Sequence, residues 1–196
     1  MSFYSVARAI ARPFVKIVLR YKVEGKDNIP QCPFFLAANH VALRDPVCVG
    51  CALKQKFRFI AKSDFEHKFF LGWFMRKVGV IFVNRNKADL GAIRTSVDAI
   101  KSGENVAIFP QGTRTRVKAA PEQALGGITL MCAMAKAPVL PVALDYGTYK
   151  PRLFFTKCRI IIGKPIPYEE YAAINDRKAQ SEYVFGKVCE LLNDRD

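Results

Sequence analysis

Between residues 33 and 144 the sequence alternates short apolar runs with segments whose apolar residues recur at helical spacing, a pattern that few architectures permit. A strand and a closing helix follow farther along the chain. This alternation favours an α/β fold: a single-domain sandwich whose central, largely parallel mixed sheet is flanked by helices. The predicted strands are 34–38, 58–61, 80–83, 106–109, 139–144 and 157–162, and the predicted helices are 46–54, 65–78, 88–102 and 176–192.

The N-terminal segment, residues 1–20, has a basic stripe beside apolar side chains if it is helical. Two interpretations stay open, an amphipathic helix on an anionic membrane surface and an ordinary surface helix with one face in the core. We take the first as our prediction, and we expect Pro13 to kink or divide the helix. The basic residues are Arg8, Arg12, Lys16 and Arg20, and the apolar ones are Phe3, Val6, Ile10, Phe14, Ile17 and Val18.

The charge balance favours polyanionic partners, since 31 basic and 17 acidic residues give a net charge of +14. Nucleic acid, an anionic membrane surface and phosphorylated substrates all fit this charge. The longest uncharged stretch, residues 28–43, contains prolines, so we predict no transmembrane helix, and no secretion signal is evident. The six cysteines lie mostly in apolar runs and are expected to be reduced thiols in the core. Cys48 and Cys51 form a lone C-x2-C pair, and we predict no metal site.

His40 is the first candidate for chemistry, because it directly follows the predicted strand 34–38, where open α/β sheets place their ligands. Asp45 comes five residues later, and the two side chains can meet only if the residues between them form a turn. An imidazole held by a carboxylate is a general base, and with no G-x-S-x-G motif present, the substrate would supply the hydroxyl. The alternative is that Asp45 only caps the following helix and His40 is a polar loop residue.

Cations follow the other strands that end at the same edge of the sheet. Lys62 follows the strand 58–61, and Arg85 follows the strand 80–83. After the strand 106–109 comes a loop with a tight turn, hydroxyl groups and two arginines, which is suited to hold a phosphate. We expect these groups to form an anion site beside His40, although a solvated basic loop is the alternative for the loop alone. The loop residues concerned are Gln111, Gly112, Thr113 and Arg114.

Four motifs in order resemble the PlsC-like glycerolipid acyltransferases, a family that includes the 1-acyl-glycerol-3-phosphate acyltransferases. Residues 39–46, Asn-His-Val-Ala-Leu-Arg-Asp-Pro, match the N-H-x4-D motif of that family. Residues 83–85 are similar to its second motif, and residues 109–114, Phe-Pro-Gln-Gly-Thr-Arg, to its third, usually F-P-E-G-T-R. Residues 139–143 are similar to its fourth motif. The resemblance covers roughly residues 20–165 and departs from the family at Gln111, where glutamate is usual.

The resemblance implies an enzyme that transfers a fatty acyl group from acyl-CoA or acyl-carrier protein to the sn-2 hydroxyl of 1-acyl-glycerol-3-phosphate, giving phosphatidic acid. It implies His40 as the base, Asp45 as its partner, and Arg85, Arg114 and Lys62 around the substrate phosphate. Residues 21–196 then form the acyltransferase domain. The acyl donor is a substrate, and no cofactor is expected.

The same chemistry with another lysophospholipid or a lyso-amino-lipid as acceptor stays open because of Gln111. A non-catalytic basic protein that binds a membrane or nucleic acid is the remote alternative, and we expect no nucleic-acid partner. The expected partners are lysophosphatidate, the acyl donor, an anionic membrane surface and, as one option, acyl-carrier protein. We expect a peripheral or monotopic enzyme on the cytoplasmic face of a bacterial membrane.

Overall fold

The computed structural model describes residues 2–84, 89–152 and 155–193. Its centre is a seven-stranded sheet in the order β1-β7-β6-β2-β5-β3-β4. Strands β6, β2, β5, β3 and β4 run parallel, whereas β1 and β7 pair in parallel with each other and β7 meets β6 antiparallel. The strands are β1 (Tyr21–Glu24), β2 (Phe35–Ala38), β3 (Phe57–Lys62), β4 (Ile81–Val83), β5 (Asn105–Ile108), β6 (Val139–Asp145) and β7 (Cys158–Ile162).

Helices cover both faces of the sheet. The side chains of β2 alternate between two cores, as the pleat requires: Leu36 packs towards α1 and α2, and Phe35 and Ala37 pack towards α4, α5 and α7. Every residue of β2 and β6 is buried, which is typical of central parallel strands. The helices are α1 (Phe3–Leu19), α2 (Asp45–Ala52), α3 (Phe69–Lys77), α4 (Leu90–Lys101), α5 (Gly127–Ala135), α6 (Tyr168–Ala172) and α7 (Arg177–Asn193).

The N-terminal segment is one helix, α1, with Pro13 inside it, so of the two expected effects of Pro13, a kink or a division, the division does not occur. One side of α1 is buried against the domain through Tyr4, Val15, Val18 and Leu19. Arg8 also points inward, where its guanidinium donates to the carbonyl oxygens of Leu53 and Gln55 at 3.4 and 3.1 Å. The opposite side exposes an apolar stripe of Phe3, Val6, Ile10, Phe14 and Ile17.

The predicted fold class is confirmed, and each of the six predicted strands is present with bounds that differ by a residue or so. Sequence patterns missed β1, α5 and α6. All six cysteines are free, and five of them are buried as expected, whereas Cys32 is exposed. Among the described residues, no helix has the length and apolar character that crossing a membrane requires.

Candidate active site

The carboxyl ends of β2, β5 and β3 lie side by side and carry most of the predicted site residues. Ala37 of β2 is in register with Ile108 of β5, and Ala107 of β5 with Phe59 of β3. Because these strands are parallel, the loops that follow them meet at one edge of the sheet. The loop after β2 contains His40, and the loop after β5 contains residues 109–118.

His40 and Asp45 are in contact, as the sequence predicts. The Nδ1 atom of His40 lies 2.8 Å from Oδ2 of Asp45, and the same oxygen accepts hydrogen bonds from the backbone N–H groups of Val41 and Ala42 at 2.7 and 2.8 Å. The carboxylate therefore closes the turn between β2 and α2, and it points back to His40 instead of capping α2. Because a carboxylate can only accept, Nδ1 of His40 carries the hydrogen and Nε2 is left as an acceptor.

Tyr146 holds the second carboxylate oxygen, a contact that no sequence pattern indicated. Its hydroxyl donates to Oδ1 of Asp45 at 2.6 Å, and both residues are buried. Burial and the neighbouring Asp45 carboxylate raise the pKa of Tyr146 far above its usual range, so the hydroxyl stays protonated and acts as the donor. The guanidinium of Arg44 lies over the Tyr146 ring, 4.6 Å from its centroid. Asp45 is thus a buried carboxylate with four hydrogen-bond donors.

The loop after β5 fixes the backbone of His40. Oε1 of Gln111 accepts a hydrogen bond from the backbone N–H of His40 at 2.8 Å, and the backbone N–H of Thr115 donates to the carbonyl oxygen of His40 at 2.8 Å. The imidazole is stacked on the ring of Phe109, with 4.4 Å between the centroids. These contacts leave His40 little freedom to rotate away from Asp45.

Gly112 makes the turn of this loop possible. Its φ is +66°, and a Cβ at this position would lie 2.5 Å from Cδ1 of Leu125, so any side chain here is both strained and obstructed. The turn is closed by a hydrogen bond from the N–H of Gly112 to the carbonyl oxygen of Phe109 at 2.9 Å. Glycine at this position therefore brings Leu125 close to the loop beside His40.

A large apolar cavity of about 470 Å³ opens beside His40. Side chains from α1, α2, α3, α5 and the strand ends line it, and hydrophobic atoms form most of its wall. A second pocket of about 310 Å³ lies next to the residues that directly follow His40, namely Val41, Ala42 and Leu43. Its charged lining is entirely cationic and consists of Arg44, Arg114, Arg116, Lys150 and Arg152. Leu43 lines both spaces, so the apolar cavity and the cationic pocket adjoin at this side chain, three residues after His40.

The other predicted site residues do not all lie at the cationic pocket. Arg114 lines the cationic pocket, and Thr113 beside it is exposed. Lys62 ends β3 at the same edge of the sheet, but it pairs with Asp64 and lines neither space; this pairing lowers the pKa of the Asp64 carboxyl. Arg85 lies outside the described residues.

Gln111 is turned away from the cationic pocket. Its Nε2 donates to Oε1 of Gln123 at 2.7 Å, and Nε2 of Gln123 donates to the carbonyl oxygen of Lys118 at 3.0 Å. Both ends of the Gln111 amide are therefore occupied by protein groups, and this geometry assigns it to the support of the His40 backbone instead of to a phosphate.

The arrangement is suited to remove a proton from a bound hydroxyl group. A neutral imidazole whose Nδ1 hydrogen is held by a buried carboxylate is a general base through Nε2, and the carboxylate stabilises the imidazolium that forms. The cationic pocket suits a phosphate, and the apolar cavity suits an alkyl chain. In the described ranges, no group of three His, Cys, Asp or Glu side chains is placed to hold a metal ion.

Comparisons with known proteins identify relatives of this chain. A structure of the 1-acyl-sn-glycerophosphate (LPA) acyltransferase PlsC from Thermotoga maritima superposes with a TM-score of 0.69 over 100% of this chain and 85% of that chain, at 25% identity. A 1-acyl-sn-glycerol-3-phosphate acyltransferase of Bacillus subtilis is 29% identical over 181 residues, which is 89% of each protein.

A Pseudomonas aeruginosa protein of the same name is 27% identical over 152 residues, which cover 74% of this chain and 58% of that protein. A family model described as Acyltransferase matches residues 20–145, which include His40, Asp45 and the loop after β5. The resemblance seen in the sequence is confirmed: the chain belongs to the acyltransferase family.

Proposed function

We propose that this protein transfers a fatty acyl group from a thioester donor to the sn-2 hydroxyl of 1-acyl-glycerol-3-phosphate, giving phosphatidic acid. The observation that carries the proposal is the His40–Asp45 pair beside the apolar cavity, with a cationic pocket that adjoins this cavity at Leu43. The acceptor carries a phosphate, a free hydroxyl and an acyl chain, and these three groups match the pocket, the base and the cavity. The activities named for the Bacillus subtilis and Thermotoga maritima relatives support the same reaction.

The reaction needs one base. His40 takes the hydroxyl proton while the oxygen attacks the thioester carbonyl carbon, and Asp45 stabilises the imidazolium. When the tetrahedral intermediate collapses, the carbon–sulfur bond breaks, and the imidazolium returns its proton to the departing thiolate. Because a thiolate is a good leaving group, the step requires neither a covalent enzyme intermediate nor a cofactor. The donor is acyl-CoA or acyl-carrier protein, and both carry the acyl group as a thioester.

The acceptor phosphate is proposed to lie in the cationic pocket on Arg114, with Arg85 as a further contributor. Lys62 pairs with Asp64 and does not line this pocket, so it is left out of the proposed phosphate site. Guanidinium groups bind phosphate in two-pronged geometry, which favours an arginine such as Arg114 over the lysine of this pocket as the main contact. Gln111 lies outside the lining of this pocket, so the departure from glutamate removes no carboxylate from the phosphate site. Because Gln111 lies outside it, the phosphate site stays cationic, which favours lysophosphatidate as the acceptor. The other lysolipids remain the alternative acceptors.

The experiment that tests this proposal is an acyl-transfer assay on purified protein with lysophosphatidate and other lysolipids, each with acyl-CoA and with acyl-carrier protein. We expect lysophosphatidate to be preferred and Arg114→Gln to raise its KM about 10-fold or more, because a charge-assisted hydrogen bond is lost. Arg94, an exposed arginine of α4, provides the control substitution Arg94→Gln, which should leave KM unchanged. If product formed only from another lysolipid, that lysolipid would be the acceptor in place of lysophosphatidate. If no pair of substrates gave product, the proposal would be contradicted.

We also propose that the protein binds the surface of an anionic membrane. The exposed apolar stripe of α1 continues into α3 through ring contacts of Phe3 with Trp73 and Phe74, at centroid distances of 5.8 and 5.9 Å. Phe69 and Phe70 are 84% and 79% exposed at the start of α3. Basic residues on these two helices or directly before α3 favour an anionic leaflet: Arg12, Lys16, Lys68, Arg76 and Lys77.

Replacement of Phe69 and Phe70 together by serine should lower binding to anionic vesicles about 10-fold or more, because each phenyl ring contributes hydrophobic burial in the interface. Cosedimentation with vesicles of phosphatidylglycerol and phosphatidylcholine measures this effect, and vesicles of phosphatidylcholine alone should bind the wild type more weakly. Met134→Ser is the control, since Met134 is exposed on α5, across the sheet from α1. Equal binding by the double variant and the wild type would contradict the proposal.

A further inference from the structure

The hydrogen bond that holds the His40 backbone depends on the orientation of one buried amide. Gln111 is 6% exposed, and its Oε1 faces the backbone N–H of His40 at 2.8 Å. A side-chain amide has one end that accepts and one end that donates, so it supports this N–H in only one of its two orientations. If the amide were turned over, Nε2 of Gln111 would face the N–H of His40, and two donors would meet. Whatever fixes the orientation of Gln111 is therefore part of the support of His40.

Gln123 is the group that fixes this orientation. Its Oε1 accepts a hydrogen bond from Nε2 of Gln111 at 2.7 Å, so the donor end of the Gln111 amide is paired while the acceptor end faces His40. If Gln123 offered no acceptor, the Gln111 Nε2 would be a buried donor without a partner, which is costly in a protein interior. The pairing with Gln123 thus favours the one orientation of Gln111 that supports His40.

The orientation of Gln123 is fixed in turn by a group that can only accept. Its Nε2 donates to the backbone carbonyl oxygen of Lys118 at 3.0 Å, and a carbonyl oxygen has no hydrogen to give. Gln123 therefore presents its own oxygen to Gln111, and Gln111 presents its oxygen to His40. The direction of the whole chain of hydrogen bonds follows from the carbonyl group at its start.

A short, well-packed turn carries Gln123. The residue ends the 3-10 turn Pro121–Gln123, which is closed by a hydrogen bond from the N–H of Ala124 to the carbonyl oxygen of Pro121 at 3.0 Å. Ala124 is buried, and a Cβ on Gly186 of α7 would lie 3.8 Å from Cγ of Pro121, so the turn rests against α7. Gln123 is thus held by an element that is separate from the loop of Gln111.

We infer that Gln123 is a positioning residue for the acyl transfer: it sets the direction of the Gln111 amide and, through it, the backbone position of His40. The inference rests on the proposed function, in which His40 is the base. Gln123 lines neither the apolar cavity nor the cationic pocket, so its effect is expected in kcat and not in KM. A glutamate at position 111 could not donate to Gln123, so the amide at 111 and the acceptor at 123 work as a pair in this chain.

Two substitutions of Gln123 separate this role from a merely structural one. Both Gln123→Glu and Gln123→Leu lose the hydrogen bond to the carbonyl oxygen of Lys118, but only the glutamate keeps an oxygen that accepts from Gln111. We expect Gln123→Leu to lower kcat about 10-fold, because a displaced base is a poor one, and Gln123→Glu to stay within about 2-fold of the wild type. The KM for lysophosphatidate should be unchanged in both variants.

A double-mutant cycle and a control complete the test. In a Gln111→Leu background, Gln123→Leu should lower kcat no further, because the two side chains act in series. The control is Gln180→Leu in α7, which loses the hydrogen bond from Nε2 of Gln180 to the carbonyl oxygen of Ile174 at 2.6 Å and should leave kcat unchanged. Thermal unfolding shows whether each variant is folded, and Gln123→Ala takes the place of Gln123→Leu if the latter does not fold.

Hydrogen exchange of the His40 backbone amide, measured by NMR, provides a readout that needs no activity. We expect this amide to exchange about 10-fold faster in Gln123→Leu than in the wild type, and at the wild-type rate in Gln123→Glu. Equal losses of kcat in the two variants would assign Gln123 to holding the loop at Lys118 alone and would overturn the inference, as would a folded Gln123→Leu with wild-type kcat. A wild-type protein that transfers no acyl group would instead contradict the proposed function, and the exchange rates would still test the role of Gln123.

Discussion

His40→Ala is expected to lower kcat for acyl transfer by about 10² to 10⁴, because the variant has no base to take the hydroxyl proton. The substrate still meets the cationic pocket and the apolar cavity, so KM should change little. The expected signature is therefore a loss in kcat alone, measured at saturating acceptor and donor.

The chain provides a matched control for this substitution. It contains one other histidine, His67, which is exposed, and His67→Ala should leave kcat unchanged. Because the His40 ring is stacked on Phe109, thermal unfolding of His40→Ala has to be measured beside its activity. A folded His40→Ala variant that keeps wild-type kcat would exclude His40 as the base and with it the proposed mechanism.

The alternation of strands and helices could be predicted from the sequence because central parallel strands are buried on both faces and are therefore apolar throughout. The run Phe35–Ala38 is entirely apolar and entirely buried, so its sequence pattern and its environment coincide. The strand β1 was missed for the opposite reason: Tyr21–Glu24 is an edge strand with two charged residues, and its pairing with β7 joins segments far apart in the chain. Helix α5 was missed because it is apolar nearly all round and begins at a glycine, so it has no helical stripe.

The sequence identified the His40–Asp45 pair through its local spacing, whereas its supports come from distant segments. Tyr146 lies 101 residues from Asp45, and no periodicity connects them. The role of Gln111 depended on Gln123, because the Nε2 of Gln111 donates to it, and a glutamate carboxylate cannot donate. The sequence placed Gln111 at the phosphate because it lies in a loop with a tight turn, hydroxyl groups and two arginines, but tertiary contacts decide where its side chain points.

Asp45→Asn is expected to lower kcat by about 10² to 10⁴ while the protein stays folded. An asparagine keeps one oxygen that can accept from His40 and from the backbone N–H groups of Val41 and Ala42, so the turn is retained. It has no negative charge to stabilise the imidazolium, and that loss falls on the transition state. The measurement pairs kcat with the free energy of unfolding in denaturant.

Two further variants separate the loss of the Asp45 charge from the loss of a hydrogen bond as the cause of the lower kcat. Tyr146→Phe removes one donor to Asp45 but keeps the carboxylate, so kcat should fall much less than in Asp45→Asn, with a loss of about 1 kcal/mol in the free energy of unfolding. Tyr171→Phe is the control, because the buried Tyr171 hydroxyl donates to the carbonyl oxygen of Ala137 at 2.8 Å, away from His40. This substitution should lower the free energy of unfolding by a similar amount without loss of kcat. If a folded Asp45→Asn variant kept wild-type kcat, the Asp45 charge would have no part in catalysis, and only its role in closing the turn would remain.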